Sequence, residues 1–238
     1  MTRPYLAVVI PAYNEEPRLE RSLSRIREYL SAQPYSWTVL VVSDGSTDTT
    51  PAIAGSFAGS DTRFALHAYS PNRGKGYAVR TGMMEVEGDW LLLCDADLAA
   101  PIEEVEKLFA AKAAVAIGSR PLAESKLEIR QPWWREMAGR AFNGAVRALS
   151  IRGIKDTQCG FKLFEHKAAK EVFSRCRFDG FSYDFEALML ASALGYRIAE
   201  IPIRWSHQEG SKVRLLRDGM RMLRDLVKLR LTFRSRLK

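Results

Sequence analysis

A chain of 238 residues, 47% of them hydrophobic, can enclose one sizeable core, and its length does not demand a second. No apolar run approaches the roughly 18–20 residues needed to cross a bilayer, and residues 1–11 lack a signal peptide's long apolar region, so the chain reads as soluble and cytoplasmic. The formal charge of +8 is concentrated: residues 212–238 hold ten Lys or Arg against two Asp, so the body is balanced and lacks the basic surface of a nucleic-acid binder.

Residues 5–10 predict a buried first strand that runs into a turn-rich stretch, Pro11, Ala12, Tyr13, Asn14, Glu15 and Glu16. A helix is expected over residues 17–32, with Leu19, Leu23, Ile26 and Leu30 on one face. Residues 37–42 read as a second strand ending in S-D-G-S-T-D at 43–48, and residues 64–69 as a third. Asn72-Arg73-Gly74-Lys75-Gly76 follows, then a helix over 77–86. The apolar run 91–94 ends in Asp95-Ala96-Asp97, and Pro101 can open the next helix. Strand and helix alternate through Leu108, which calls for an α/β fold with a mostly parallel sheet flanked by helices.

In such a sheet, ligands bind beyond the carboxyl ends of the strands. Two hard oxygen ligands at Asp95 and Asp97 suit Mg²⁺ or Mn²⁺ bridging a substrate's phosphates, although Asp at such a position also caps turns and helices. Three strand ends carry polar loops of one kind, at 13–16, 44–48 and 95–97, and all open onto one edge, which favours a single crevice. Neither a dinucleotide fingerprint nor a P-loop is present, and Gly74-Lys75-Gly76 alone reads equally as a phosphate contact or a surface turn.

Further along, residues 114–120 predict a strand ending in Arg120, followed by a polar, charged loop at 121–131 that is expected to be mobile and an amphipathic helix over 133–149. Residues 156–162 form a loop-to-strand transition. A helix over 183–194 carries Asp184 and Glu186 in its first turn, where the helix dipole is a sufficient cause, and 198–205 is the last strand. Cys94, Cys159 and Cys176 are widely spaced and odd in number, and read as buried thiols. Residues 1–211 are taken as one domain and 212–238 as an appended helix. In it Arg214, Arg217, Arg221, Arg224 and Lys228 share one face, and Leu216, Met220, Leu223 and Val227 another. Such a basic amphipathic helix can lie on an anionic membrane surface or pack its apolar stripe on the body.

The order of parts is specific: V-V-I-P-A-Y-N-E-E at 8–16, V-V-S-D-G-S-T-D at 41–48, G-K-G at 74–76, D-A-D at 95–97 and G-S-R at 118–120. It resembles the family 2 inverting glycosyltransferases of the GT-A, Rossmann-like fold, over nearly the whole chain. The stretches D-T-Q-C-G-F-K-L-F at 156–164 and I-P-I-R-W with G-S-K at 201–212 are similar to the polyprenyl-phosphate branch, closer to dolichyl-phosphate glucosyltransferases than to mannosyltransferases.

The resemblance implies that Pro11, Ala12, Tyr13, Glu15 and Asp44 hold the nucleotide of a sugar donor, with Lys75 and Ala96 beside it. It further implies that Asp97 binds the divalent ion and Asp95 assists, that Arg120 and Arg135 face an acceptor phosphate, and that Lys212 closes over the diphosphate. The implied donor is UDP-glucose and the acceptor a dolichyl or undecaprenyl phosphate on the cytoplasmic face of a membrane. Alternatives are GDP-mannose as donor, or a glycan hydroxyl as acceptor with Asp184 as the general base. Two positions depart from the family pattern: Ser43 stands where a second acid is frequent, and Ala99 where mannosyltransferases tend to carry a metal-binding Gln.

Overall fold

The computed structural model describes residues 5–129, 144, 151, 153–207 and 215–236. Seven strands form the main sheet: β1 (Leu6–Ala12), β2 (Trp37–Asp44), β3 (Phe64–Tyr69), β4 (Trp90–Cys94), β5 (Val115–Ser119), β7 (Phe161–Glu165) and β8 (Ile198–Pro202). Their order is β3-β2-β1-β4-β7-β5-β8, and β6 (Lys126–Ile129) pairs with β9 (Arg204–Ser206) in a separate two-stranded sheet. Within the main sheet β7 alone runs antiparallel, between β4 and β5.

Period-2 alternation places the two cores. Along β1, Leu6, Val8 and Ile10 face one side with Leu19, Leu23, Ile26 and Leu30 of α1 (Leu19–Ser31), while Ala7 and Val9 face the other with Val79 and Met83 of α3 (Lys75–Glu85). Helix α2 (Thr50–Ser60) and α4 (Val105–Ala110) lie between the strands of the first half. Helices α5 (His166–Phe173) and α6 (Tyr183–Ala193) complete the second layer. Strand numbering turns back at β1, with β2 on one side and β4 on the other. That is the topological switch point, where the crevice of an open α/β sheet lies.

Several sequence expectations shift. Strand β1 continues through Pro11 and Ala12; Pro11 lies past the β1–β4 ladder, which ends at Val9↔Leu93, so its missing N–H interrupts no bond there. The loop expected at 121–131 contains β6, and the single strand expected over 198–205 divides at Ile203, whose carbonyl accepts from Lys126 N at the start of the small sheet. Helix α2 escaped the reading because its Ala, Gly and Ser give no clear apolar stripe; Thr50, Ala54 and Phe57 are its buried residues. Of the predicted helix over 133–149 only residue 144 is described, as helix, while Arg135 and the G-S-K turn with Lys212 lie outside the described residues.

The C-terminal helix α7 (Leu215–Arg236) is docked on the body, but not by the stripe the sequence suggested. Met222, Leu226 and Leu229 are buried against Phe178, Phe185 and Met189, and Ser182 Oγ donates to Asp225 at 2.7 Å. Met220 and Val227 of the predicted face point outward, 68% and 52% exposed, with Leu231 at 82%. Neighbouring residues of one helix therefore separate the two faces: Leu226→Ala should lower unfolding free energy by about 2–4 kcal/mol, and Val227→Ala by less than about 0.5, in urea titrations.

Candidate active site

Asp95 and Asp97 follow β4 at the switch point. Asp95 is gripped from two sides. Lys75, the first residue of α3, places its ammonium 2.7 Å from Asp95 Oδ1. The antiparallel β7 begins where β4 ends, so the turn before it arrives against Asp95: Asp95 N donates to Gly160 O at 3.1 Å, and a Cβ on Gly160 would lie 1.9 Å from Asp95 Oδ2. Only glycine leaves room for that carboxylate. Asp97 Oδ1 accepts from Ala99 N at 3.0 Å across a turn in which Leu98 has φ +47°. The side chain of Ala96 is buried in the core.

The electrostatics of this group are mutual. Burial and the neighbouring Asp95 charge push the Asp97 carboxyl above its ordinary value, against the opposing pull of the Ala99 N–H, Lys75 and Arg18. Burial disfavours the Lys75 ammonium, but Asp95, Asp184 and Asp97 outweigh it and raise its pKa. Two adjacent carboxylates whose repulsion lifts a pKa are a donor set that a divalent cation relieves. Among the described residues no group of three His, Cys, Asp or Glu could hold a metal by itself. The residues thus fit a hard cation bound by Asp97 and Asp95 and completed by substrate phosphates and water.

The loops after β1 and β2 are stitched into one wall. Asn14 N donates to Ser46 Oγ at 3.1 Å, Glu15 N to Thr50 Oγ1 at 2.7 Å, and Thr47 N to Asn14 Oδ1 at 2.8 Å. Glu15 also pairs with Arg18 at 2.7 Å, and Tyr13 stands 38% exposed at the rim. Ser43 is buried and donates to Ser46 Oγ at 3.1 Å, so the position that departs from the family pattern serves this seam. Asp44 is 3% exposed and turned inward. Its carboxylate accepts from Tyr69 Oη, Asn72 Nδ2, Arg73 N and Gly74 N at 2.7–2.9 Å, organising the loop that delivers Lys75.

The glycines of Gly74-Lys75-Gly76 acquire a cause that spacing did not show. Their absent Cβ atoms make way for backbone: one on Gly74 would meet Asp179 O at 2.4 Å, and one on Gly76 would meet Phe178 O at 2.4 Å.

Arg120 is held by Asp156 through paired bonds, Nε to Oδ2 at 2.7 Å and Nη2 to Oδ1 at 2.9 Å, with its guanidinium 5.6 Å from the Trp205 ring centroid. Asp156 is fully buried and Arg120 27% exposed. Trp205 also lines, with Leu98, Ala99 and Gly160, a small cleft beside Asp95. Asp184 is buried and faces Lys162 Nζ at 2.5 Å. Burial raises its carboxyl, against the pull of Lys162 and Lys75. Its partner in the first turn of α6, Glu186, accepts from Arg177 N and Phe178 N at 2.9 Å each, so both acids have tertiary partners besides the helix dipole. The three cysteines are buried free thiols, and burial pushes Cys159 up to about 12.

Asp156, Gly160, Lys162 and Trp205 lie in the stretches that carried the family resemblance, but sequence reasoning assigned none of them a role of its own. The available signal was a lysine inside the otherwise apolar F-K-L-F of β7, where a charge is expensive without a partner.

Comparison with known proteins gives the chain its family and shows the fold in solved structures. Residues 7–173 match the model of the glycosyl transferase family 2. Over 96% of its length the chain is 37% identical to the dolichyl-phosphate beta-glucosyltransferase of Saccharomyces cerevisiae, covering 75% of that protein. The corresponding human dolichyl-phosphate beta-glucosyltransferase is 35% identical over 96% of the chain and 75% of its own length. Among solved structures, glucosyl-3-phosphoglycerate synthase from Mycobacterium tuberculosis, in complex with Mn²⁺, UDP and glucosyl-3-phosphoglycerate, superimposes with a TM-score of 0.66 at 18% identity. That match covers 98% of this chain and 80% of the synthase, a likeness of fold.

The Arg120–Asp156 pair carries a pH signature. Burial opposes ionisation of Asp156, but Arg120 outweighs it and holds the carboxyl below its ordinary value of 3.8. A depressed folded-state pKa contributes stability that is present above the unfolded value and lost as pH falls through the folded one. Asp156→Asn should therefore cost about 3–5 kcal/mol at pH 7, and the gap to the wild type should narrow below about pH 4, read by urea unfolding at both pH values.

Proposed function

The chain belongs to glycosyl transferase family 2, and from that premise we propose that it moves glucose from UDP-glucose to a polyprenyl phosphate of the dolichyl type, with inversion at the anomeric carbon. The observation that carries the reading is identity of 37% over 96% of the chain to a dolichyl-phosphate beta-glucosyltransferase, joined to an Asp-Ala-Asp at the sheet's switch point. The synthase that shares the fold binds Mn²⁺ with UDP, which supports a divalent cation and a uridine nucleotide here.

The wall formed by residues 13–16 and 43–50 would receive the nucleoside, with Pro11, Ala12, Tyr13, Glu15 and Asp44 along it, and Lys75 and Ala96 beside the diphosphate. Asp44 would act largely through the loop it organises, since its carboxylate already accepts four bonds within the chain. Asp97 and Asp95 would hold the cation, which when bound supplies positive charge at the departing diphosphate. Lys75, kept protonated by the surrounding carboxylates, would add a second cationic group on the same side. Arg120, Arg135 and Lys212 complete the assignment, the first two toward the acceptor phosphate and the last over the diphosphate.

An oxygen of the acceptor phosphate attacks the anomeric carbon while the bond to the UDP oxygen breaks, and UDP leaves as the anion. A phosphate monoester is already largely ionised at neutral pH, its second pKa lying near about 6, so no general base is required. The burial of Asp184 against Lys162 agrees with this and disfavours the hydroxyl-acceptor alternative. The relatives' glucosyl names favour UDP-glucose over GDP-mannose.

For the lipid, α7 offers Met220, Val227 and Leu231 outward, with Arg224 and Lys228 exposed beside them. Spaced seven and four apart, the three apolar residues share one face, and with the cationic flank they suit an anionic membrane surface. Among the described residues no helix is long and apolar enough to cross a membrane. Peripheral attachment to the cytoplasmic face belongs to the same reading.

Two measurements test it. In a donor screen with polyprenyl phosphate and Mn²⁺ or Mg²⁺, UDP-glucose should be consumed and GDP-mannose not, while EDTA or Asp97→Ala should abolish transfer and weaken UDP-glucose binding in calorimetry. Transfer from GDP-mannose instead would displace the glucose assignment. Separately, the triple variant Met220→Glu, Val227→Glu, Leu231→Glu should lose pelleting with anionic liposomes while its melting temperature stays near wild type, because all three side chains already face water. Unchanged pelleting would remove the membrane role of α7.

A further inference from the structure

Lys162 is the anomaly left over. It sits in mid-strand on β7, opposite Leu93 of β4 and Ile117 of β5, and is 1% exposed. An ammonium buried in the middle of a sheet costs several kcal/mol unless every donor finds an acceptor in good geometry. Its Nζ donates to Asp184 Oδ1 at 2.5 Å and to the carbonyl of Cys159. The first bond ties β7 to the opening turn of α6, and the second ties down the turn that leads into β7.

That turn is the floor under Asp95. Gly160, the residue after Cys159, accepts the Asp95 N–H at 3.1 Å and has the Asp95 carboxylate lying across its Cα. On the opposite side the Asp95 partner, Lys75, is held by the same part of the molecule. Tyr77 N donates to Asp179 O at 3.1 Å, and Gly74 and Gly76 pack directly on the 178–180 backbone that enters α6. Both groups that touch Asp95 therefore take their positions from the start of α6.

We propose that Lys162 and Asp184 are positioning residues: as a buried ion pair they lock the Cys159–Gly160 turn beneath Asp95 and so set the aim of its carboxylate toward the cation and diphosphate. The inference rests on the donor-site reading of Asp95. Neither residue touches substrate, and Asp184 is withdrawn from any role as general base.

The test separates positioning from plain stability. Replacing both members of a buried pair by apolar residues of similar size is often neutral for stability, whereas removing one strands the other. Lys162→Met/Asp184→Leu should therefore melt within a few degrees of wild type, yet bind Mn²⁺ in the presence of UDP about 10–100-fold more weakly and turn over correspondingly slower, the range typical when an outer support of a metal ligand is lost. Mn²⁺ binding is read directly by electron paramagnetic resonance of the free ion, and turnover is split into kcat and acceptor KM, of which only kcat should move. Wild-type affinity and kcat in the folded double variant would overturn the proposal.

Should the double variant fail to fold, Asp184→Asn decides. It keeps the shape and an acceptor for Lys162 but not the charge, and should weaken Mn²⁺ binding about three- to tenfold, with the pH dependence of kcat unshifted. Unchanged affinity, or a loss of about 10²–10⁴ in kcat with a shifted pH profile as expected of a general base, would overturn it. A wild-type protein that binds Mn²⁺ and UDP yet shows these null results loses only the positioning role; a wild type that binds neither loses the donor-site reading itself.

Discussion

The carboxylate of Asp95 is held between an ammonium and a bare Cα, and most of the site follows from that confinement. Lys75 approaches from the amino end of α3, and Gly160 from the turn into β7. The two supports are 85 residues apart in the chain. They meet because β7 is inserted antiparallel between β4 and β5, so the end of one strand and the beginning of another share an edge. A wholly parallel sheet would place a carboxyl end beside β4 there, and the turn bearing Gly160 would have no way to reach it.

Around this point the protein spends its buried polar groups on loop geometry. Asp44 gathers the 72–74 loop with three hydrogen bonds and takes a fourth from Tyr69, Glu186 holds the 177–178 backbone, and Asp156 clamps Arg120. Asp44 ends β2, Glu186 lies in the first turn of α6 and Asp156 in the loop before β7, all places where backbone N–H groups are left unpaired by regular structure. Carboxylates are well suited to satisfy several of them at once, and a loop fixed in that way presents its remaining groups without the entropy cost of ordering at the moment of binding. The acids that looked catalytic in the sequence thus divide by orientation. Asp95 and Asp97 lie at the crevice, while Asp44 and Asp184 are turned inward.

Helix α7 shows how far periodicity carries and where it stops. Two apolar stripes run along it, Met220 with Val227 and Leu231, and Met222 with Leu226 and Leu229, roughly opposite each other. The sequence reading took Met220 and Val227, with Leu216 and Leu223, as the apolar face. Packing chose the second, because the surface formed by Phe178, Phe185 and Met189 and the hydroxyl of Ser182 next to Asp225 accept that side. The stripe that remained outside is the one available to a lipid surface.

Much of the fold was legible because its signals are local. Apolar runs of strand length, polar strand ends and the alternation with helices prescribe an α/β sheet, and Asp95-Ala96-Asp97 announces itself at the end of such a run. The order of motifs was enough to indicate the family. What the sequence could not carry were contacts between distant segments: that Gly74 and Gly76 yield to the 178–180 backbone, that Gly160 yields to Asp95, and that Lys162 reaches Asp184. A glycine has the same letter whether it serves a ligand, a turn or a neighbouring strand, and a lysine the same letter whether solvated or buried. The reading of residue types was settled along the chain, and their purpose by which partner the sheet's one reversed strand brought within reach.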